Sequence, residues 1–205
     1  MLQLLWCPRD HPEAGYAPLA KAWWRSPAEM KAGLATIRPE VGEAAEAYVP
    51  LPCRLFPERV AEYPSADEFE FLQLEYLDEL IRTHAARDLR RLGIPADDPL
   101  YQYHFSVAPG TKVGGYVRWI QSPDVPRCKC RRQMEHLLTI ASAEFDGSFE
   151  RWMPLADRYV WSRGYKTRNA LQRPAGLMLG DMGDYYVFVC RTCPGFPIRT
   201  VTQCS

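Results

Sequence analysis

The chain has 205 residues, 47% of them apolar and 12% aromatic, which suits one sizeable core and is short for two independent ones. Its 25 basic and 25 acidic residues cancel, removing any general electrostatic argument for nucleic acid or an anionic membrane as partner. No apolar run approaches the roughly 18 residues of a membrane span, and MLQLLWCPRDHP lacks the basic leader of a secretory signal, so a cytoplasmic protein is expected.

In chain order, MLQLLW predicts a first strand, which WCPRDHP should break because proline cannot donate to a sheet ladder. Tyr16 to Trp24 reads as a second strand. SPAEMKAGLA, from Ser26 to Ala35, has the Ser-Pro-x-Glu form of a capped helix start. Residues 38–52 are a surface connection, and CRLF at 53–56 a short strand.

The longest predicted element is a helix over 66–92. Ser65 and Glu68 form a capping box, Phe69, Leu72, Tyr76, Leu80, His84 and Ala85 recur at spacings of three and four, and Gly93 with Pro95 supplies the stop. Its apolar stripe is expected to face the sheets. From Leu100 the pattern turns to strands: YQYHFSVA, the segment around GGYVRWIQ, HLLTIASAEF at 136–145, and a final hairpin of LMLG, the DMGD turn and YYVFVC. Residues 152–174 are a loop. The reading is α+β: mainly antiparallel sheets with one long helix and a possible internal duplication, in one domain with an N-terminal lobe over about 1–98 and a C-terminal lobe over 99–205.

Seven cysteines, an odd number, with C-x-C and C-x-x-C spacings favour metal or free thiols over a disulfide framework. Close thiol pairs give a tetrahedral ion two ligands from one turn at little entropic cost. Cys128, Cys130, Cys190 and Cys193 are therefore the candidate ligands of a structural zinc clasp, with Cys204 as an alternative ligand. The alternative is reduced thiols packed as small hydrophobes.

Gly114-Gly115 permits a close backbone approach and could cradle a ligand, but lacks nucleotide-binding glycine spacing and fits a bulge or turn better. Cys7, Asp10 and His11 could form a nucleophile with its base and orienting group. Asp181 and Asp184 fit a hairpin turn better than an acid-base pair, and His104 and His136 read as core histidines. Trp152, Tyr159, Trp161 and Arg163 mix aromatic and basic character. Such residues could stack on single-stranded nucleic acid, but at zero net charge they fit a protein-binding surface better.

GGYVRWIQ, the cysteine cluster, Met134, LLTIAS, the Gly-Asp-x-Gly turn and YVFVC together resemble the YwqG-like domain-of-unknown-function family, and its actinobacterial members with an LLWCPxDH-type start in particular. More distantly they resemble the programmed-cell-death-two and Tsr4 proteins, which act as ribosomal-protein chaperones. The resemblance implies a β-rich α+β fold and a binding or immunity-type role. The chain departs from the family in having CKC where C-x-x-C-G is commoner. The expectation is a non-enzymatic protein-binding module; the alternatives are an enzyme using Cys7, Asp10 and His11, and a nucleic-acid binder.

Overall fold

The computed structural model describes residues 1–26, 28, 42, 44–95, 97–145, 152–154, 157, 159 and 164–205. The expected helix at 26–35 falls almost wholly outside them. The apolar start forms β1 (Leu2–His11), antiparallel to β2 (Ala17–Trp24). The proline does not end the first strand. A bulge between Cys7 and His11 absorbs the unpaired stretch, and the Pro8 carbonyl instead accepts from the Ala45 N–H at 2.8 Å.

The second sheet has the order β3-β4-β5-β6, all antiparallel: β3 (Lys112–Val113), β4 (Glu135–Ala141), β5 (Asp184–Val189) and β6 (Ile198–Gln203). Strand β5 is central and all six of its residues are buried. Period-two alternation sends Tyr185, Val187 and Val189 to one core, with Leu137, Leu138 and Leu179, and against Leu2, Leu4 and Trp6 of β1. Tyr186 and Phe188 go to the other core, with Val117, Met134, Cys128 and Cys190. The Tyr185 hydroxyl donates to the Pro18 carbonyl at 2.9 Å, and the Trp6 ring meets it edge-on.

Helix α1 (Phe71–Leu92) starts later than expected. Ser65 caps only a single 3-10 turn, and the α-helix begins where the Gln73 side chain accepts from the Glu70 N–H at 2.9 Å. Gly93, at φ 70°, closes it, with Ile94 N–H on the Leu89 carbonyl. The stripe does not face the sheets: Leu72 is 73% and Tyr76 65% exposed, and the opposite side, carrying Leu89, is turned inward. Periodicity revealed an amphipathic helix but not what would cover it.

Other expectations fail for definable reasons. Residues 101–105 form one π-helical turn rather than a strand. Asp78 takes the Tyr101 N–H at 2.7 Å and Ser106 N–H reaches the Tyr101 carbonyl, leaving no ladder to join. Residues 53–56 are exposed and outside any strand. LMLG forms no hairpin with β5, whose two edges are taken by β4 and β6; Met178 N–H bonds the Ala47 carbonyl instead. The hairpin partner is β6. Residues 116–121 of GGYVRWIQ are not in a strand either, and the expected loop at 152–174 contains α2 (Tyr165–Gln172).

The irregular chain from 108 to 122 is held by polar hubs. Glu62, largely buried, accepts from the Ala108 N–H at 2.9 Å, the Tyr116 N–H at 2.6 Å and the Lys112 ammonium at 2.8 Å. A Cβ on Gly115, at φ 73°, would run into that carboxylate. Burial lowers the Lys112 ammonium from its usual value, against the pull of Glu62. The Gln203 side chain accepts from the Ile120 and Gln121 N–H groups and donates to the Ser122 carbonyl.

At the start of β5, burial pushes the Asp184 carboxyl up to about 7, against the attraction of Arg118 and Lys112 and with Glu144 adding to the rise. The folded value lies above the ordinary carboxylate value. The contribution of Asp184 to stability is therefore full below about pH 4 and is lost as pH rises through about 7. Asp184→Asn should gain in thermal midpoint relative to the unaltered chain as pH goes from about 5 to 8; a midpoint difference constant over that range would contradict this.

Candidate metal centre

Two turns bring four thiols together at one end of β5. The first is the tight loop from Pro126 to Met134. In it Cys128 N–H bonds the Arg132 carbonyl, Arg131 N–H returns to the Cys128 carbonyl, and Met134 N–H bonds the Pro126 carbonyl. Arg131 takes a left-handed φ of 69°, which lets CKC turn within so short a loop. The second is the β5–β6 connection, closed by Cys190 N–H on the Pro197 carbonyl and Phe196 N–H on the Cys193 carbonyl. Cys190 packs with Phe188 and Tyr186 in the second core, so β5 aims its thiol at the CKC turn.

The Sγ atoms of Cys128 and Cys193 lie 3.7 Å apart, as do those of Cys130 and Cys190, and all four lie within 4.8 Å of one another. A tetrahedron with metal–sulfur bonds of about 2.3 Å has edges of roughly 3.8 Å. The four thiols therefore fit a single tetrahedral ion with little movement. Cys128 and Cys190 are buried, Cys193 is half-buried and Cys130 is exposed, so one edge of the cluster faces solvent.

The electrostatics favour anions here. The Cys193 backbone N–H, hydrogen-bonded to the Cys190 sulfur, pulls that thiol well below its usual value, with the Thr192 N–H and the Cys128 and Cys130 thiols assisting against burial. Cys193 moves the opposite way, chiefly because the Cys130 thiol, then Cys128 and Cys190, hydrogen-bond it. One thiolate thus forms readily and the next with difficulty; a divalent ion removes that conflict by holding all four ionised. Arg127, Lys129, Arg131 and Arg132 lie close to the cluster in sequence, while Arg191 pairs with Glu135 at 2.9 Å. Four thiolates saturate a tetrahedral ion and leave no open position, an arrangement compatible with a structural metal site.

The remaining candidates are dispersed. Cys204 lies beside Gly180 and Gly183, outside the four-thiol cluster. Cys7 and His11 share β1 but, among the described residues, no hydrogen bond joins them; Glu13, not Asp10, meets the His11 Nδ1 at 3.3 Å. Asp181 lies in a turn at 180–182, its carbonyl accepting from Ser205, and Asp184 is buried at the start of β5; the turn leads into β5 but closes no hairpin. His136 bonds the Gly115 carbonyl and Thr139, and His104 meets Asp98. Trp152 is half-buried and donates to the Tyr103 carbonyl, Tyr159 is exposed, and Trp161 and Arg163 lie outside the described residues. Glu62, the hub of the Gly-Gly segment, was missed: a lone Glu in RVAEYP carries no sequence signal.

Fold and site together define an antiparallel α+β protein with a four-cysteine cluster able to hold a metal ion. Comparison with protein-family models, curated proteins and solved structures finds no match. Among the described residues no helix is long and apolar enough to cross a membrane.

Titration with Co²⁺, read by its thiolate charge-transfer and tetrahedral ligand-field bands, should saturate at about one ion per chain. Cys130→Ser should weaken binding at least about tenfold, while Cys204→Ser should leave it unchanged. An equal loss in both variants would bring Cys204 into the ligand set.

Proposed function

We propose that this chain is a non-enzymatic, cytoplasmic protein-binding module of the immunity-protein or dedicated-chaperone kind, braced by one structural zinc ion on Cys128, Cys130, Cys190 and Cys193. The carrying observation is the apolar surface outside the clasped sheet. In the segment 51–63, Leu55 is 81% and Phe56 80% exposed, with Leu51, Val60 and Tyr63 also exposed. Five large apolar side chains left in water within one short segment are the kind of exposure that interaction sites show. Tyr159, in the aromatic and basic stretch with Trp152, Trp161 and Arg163, extends the same reading. The resemblance of its motifs to those of YwqG-like proteins points the same way.

Zinc is favoured by the all-thiolate, tetrahedral donor set. A reducing compartment keeps such thiols available to it. The ion joins the CKC loop to the β5–β6 turn, so its binding energy enters the folding energy directly.

Purified without chelator, the chain should carry about one zinc, and stripping it should lower the thermal midpoint by several degrees. In-cell crosslinking should then recover a defined protein partner that a Leu55→Ser/Phe56→Ser variant, with zinc and midpoint retained, no longer captures. Zinc well below stoichiometry with no effect of Cys190→Ser on stability would remove the clasp. A partner set indifferent to the 55/56 variant would remove the surface. A hyper-reactive Cys7 silenced by His11→Ala would favour the enzyme instead.

A further inference from the structure

Helix α1 is sign-segregated along its length. From Glu70 to Glu79 it carries Glu70, Glu75, Asp78 and Glu79 and no base; from Leu80 to Leu92 it carries Arg82, Arg87, Arg90 and Arg91 against Asp88 alone. At 100° per residue, Leu72, Tyr76, Thr83, Arg87 and Arg90 fall on one side, and all five are exposed. The opposite side, Leu74, Asp78, Ile81, Ala85 and Leu89, is turned inward. The outward face is therefore apolar and acid-flanked in its first half and basic in its second. Its apolar end is a shallow, open surface formed by Phe69, Leu72, Gln73, Tyr76 and Leu77.

We infer that this face pairs with the same face of a second copy of the chain, antiparallel about a two-fold axis near Ile81 and Arg82. In that register Tyr76 lies opposite Arg87 of the second copy, which suits a guanidinium over an aromatic ring with its stem on apolar surface. Glu75 faces the level of residue 88, where Asp88 itself points to the other side of the helix. Arg90, two residues or about 3 Å of rise further on, is within reach of the Glu75 carboxylate. The two-fold axis makes each contact twice. Within the chain, Glu75, Arg87 and Arg90 have no ion pair among the described residues, so these charges are available. Charge also rejects the rival arrangements. A parallel in-register pair sets Glu75 and Glu79 against their own copies, and an antiparallel pair centred on Leu77 sets Glu75 against Glu79.

This interface goes beyond the foreign-partner surface at 51–63 and does not rest on it or on the metal. The test is sedimentation equilibrium of the full chain over about a hundredfold range of concentration. The unaltered chain should show a monomer–dimer equilibrium. Glu75→Arg alone and Arg90→Glu alone should each weaken it at least about tenfold, with unchanged circular dichroism. An equimolar mixture of the two variants should dimerise like the unaltered chain, because the mixed pair restores both contacts, one with its native charges and one with the charges exchanged. A chain monomeric throughout, or a dimer indifferent to both reversals, would overturn the inference. So would loss of a foreign partner by the reversals in a monomeric chain, which would assign the face to that partner. The 55/56 variant should leave dimerisation intact, so the two surfaces fail separately.

Discussion

Strand β5 has no solvent face, and the rest of the structure follows from what it sends each way. Tyr185, Val187 and Val189 meet the β1–β2 hairpin; Tyr186, Phe188 and then Cys190 meet the chain from 117 to 134. Because both faces are packed, a one-residue slip would send Tyr186 and Phe188 into the core shaped around Tyr185, Val187 and Val189, and the reverse, so register is held by the fit of each set to its own core. The same register decides where the thiol at the end of the strand emerges. Slipped by one residue, Cys190 would turn toward the hairpin core and away from Cys128 and Cys130. Sheet register and metal geometry are thus one constraint.

The face of β5 that carries Tyr186 is covered largely by chain without regular structure. Such a cover has few ladder hydrogen bonds of its own, and its buried backbone groups need partners elsewhere. Glu62 and Gln203 supply them from outside the segment, while Trp119 stacks on Phe188 and meets Tyr186 edge-on. The glycine pair that suggested a ligand cradle does admit a close carboxylate, but the carboxylate is the chain's own. Gly115 is small because Glu62 needs the space.

What the sequence made legible was whatever local chemistry dictates. Short apolar, strand-forming runs located β1, β2, β4 and the central β5, Gly93 marked the end of α1, and paired cysteine spacing found all four clustered thiols. What it hid was decided between elements. YQYHF alternates like a strand, yet Asp78 on α1 captures its first amide and a π-helical turn results. IRTVTQ also alternates and forms β6 beside β5, a strand absent from the sequence-based expectation, which ends its strands at YYVFVC. Glu62 acts from far away in sequence on residues it was never near in any local pattern.

The two parts of the molecule differ in how they satisfy the hydrophobic effect. Around β5, apolar groups are enclosed on both sides and the thiols close the open end. In α1 and residues 51–63, Leu55, Phe56, Leu72 and Tyr76 stand in water. A four-stranded sheet covered on one face by a two-stranded hairpin has little area left for a 22-residue helix, so α1 packs by one side, against the 101–105 turn, and its other side goes uncovered. That exposure is unfavourable for the isolated chain by the same surface term that stabilises β5. It can persist because the enclosed core and the thiol cluster share no residue with it, so stability is set in one place and the surface open to partners in another.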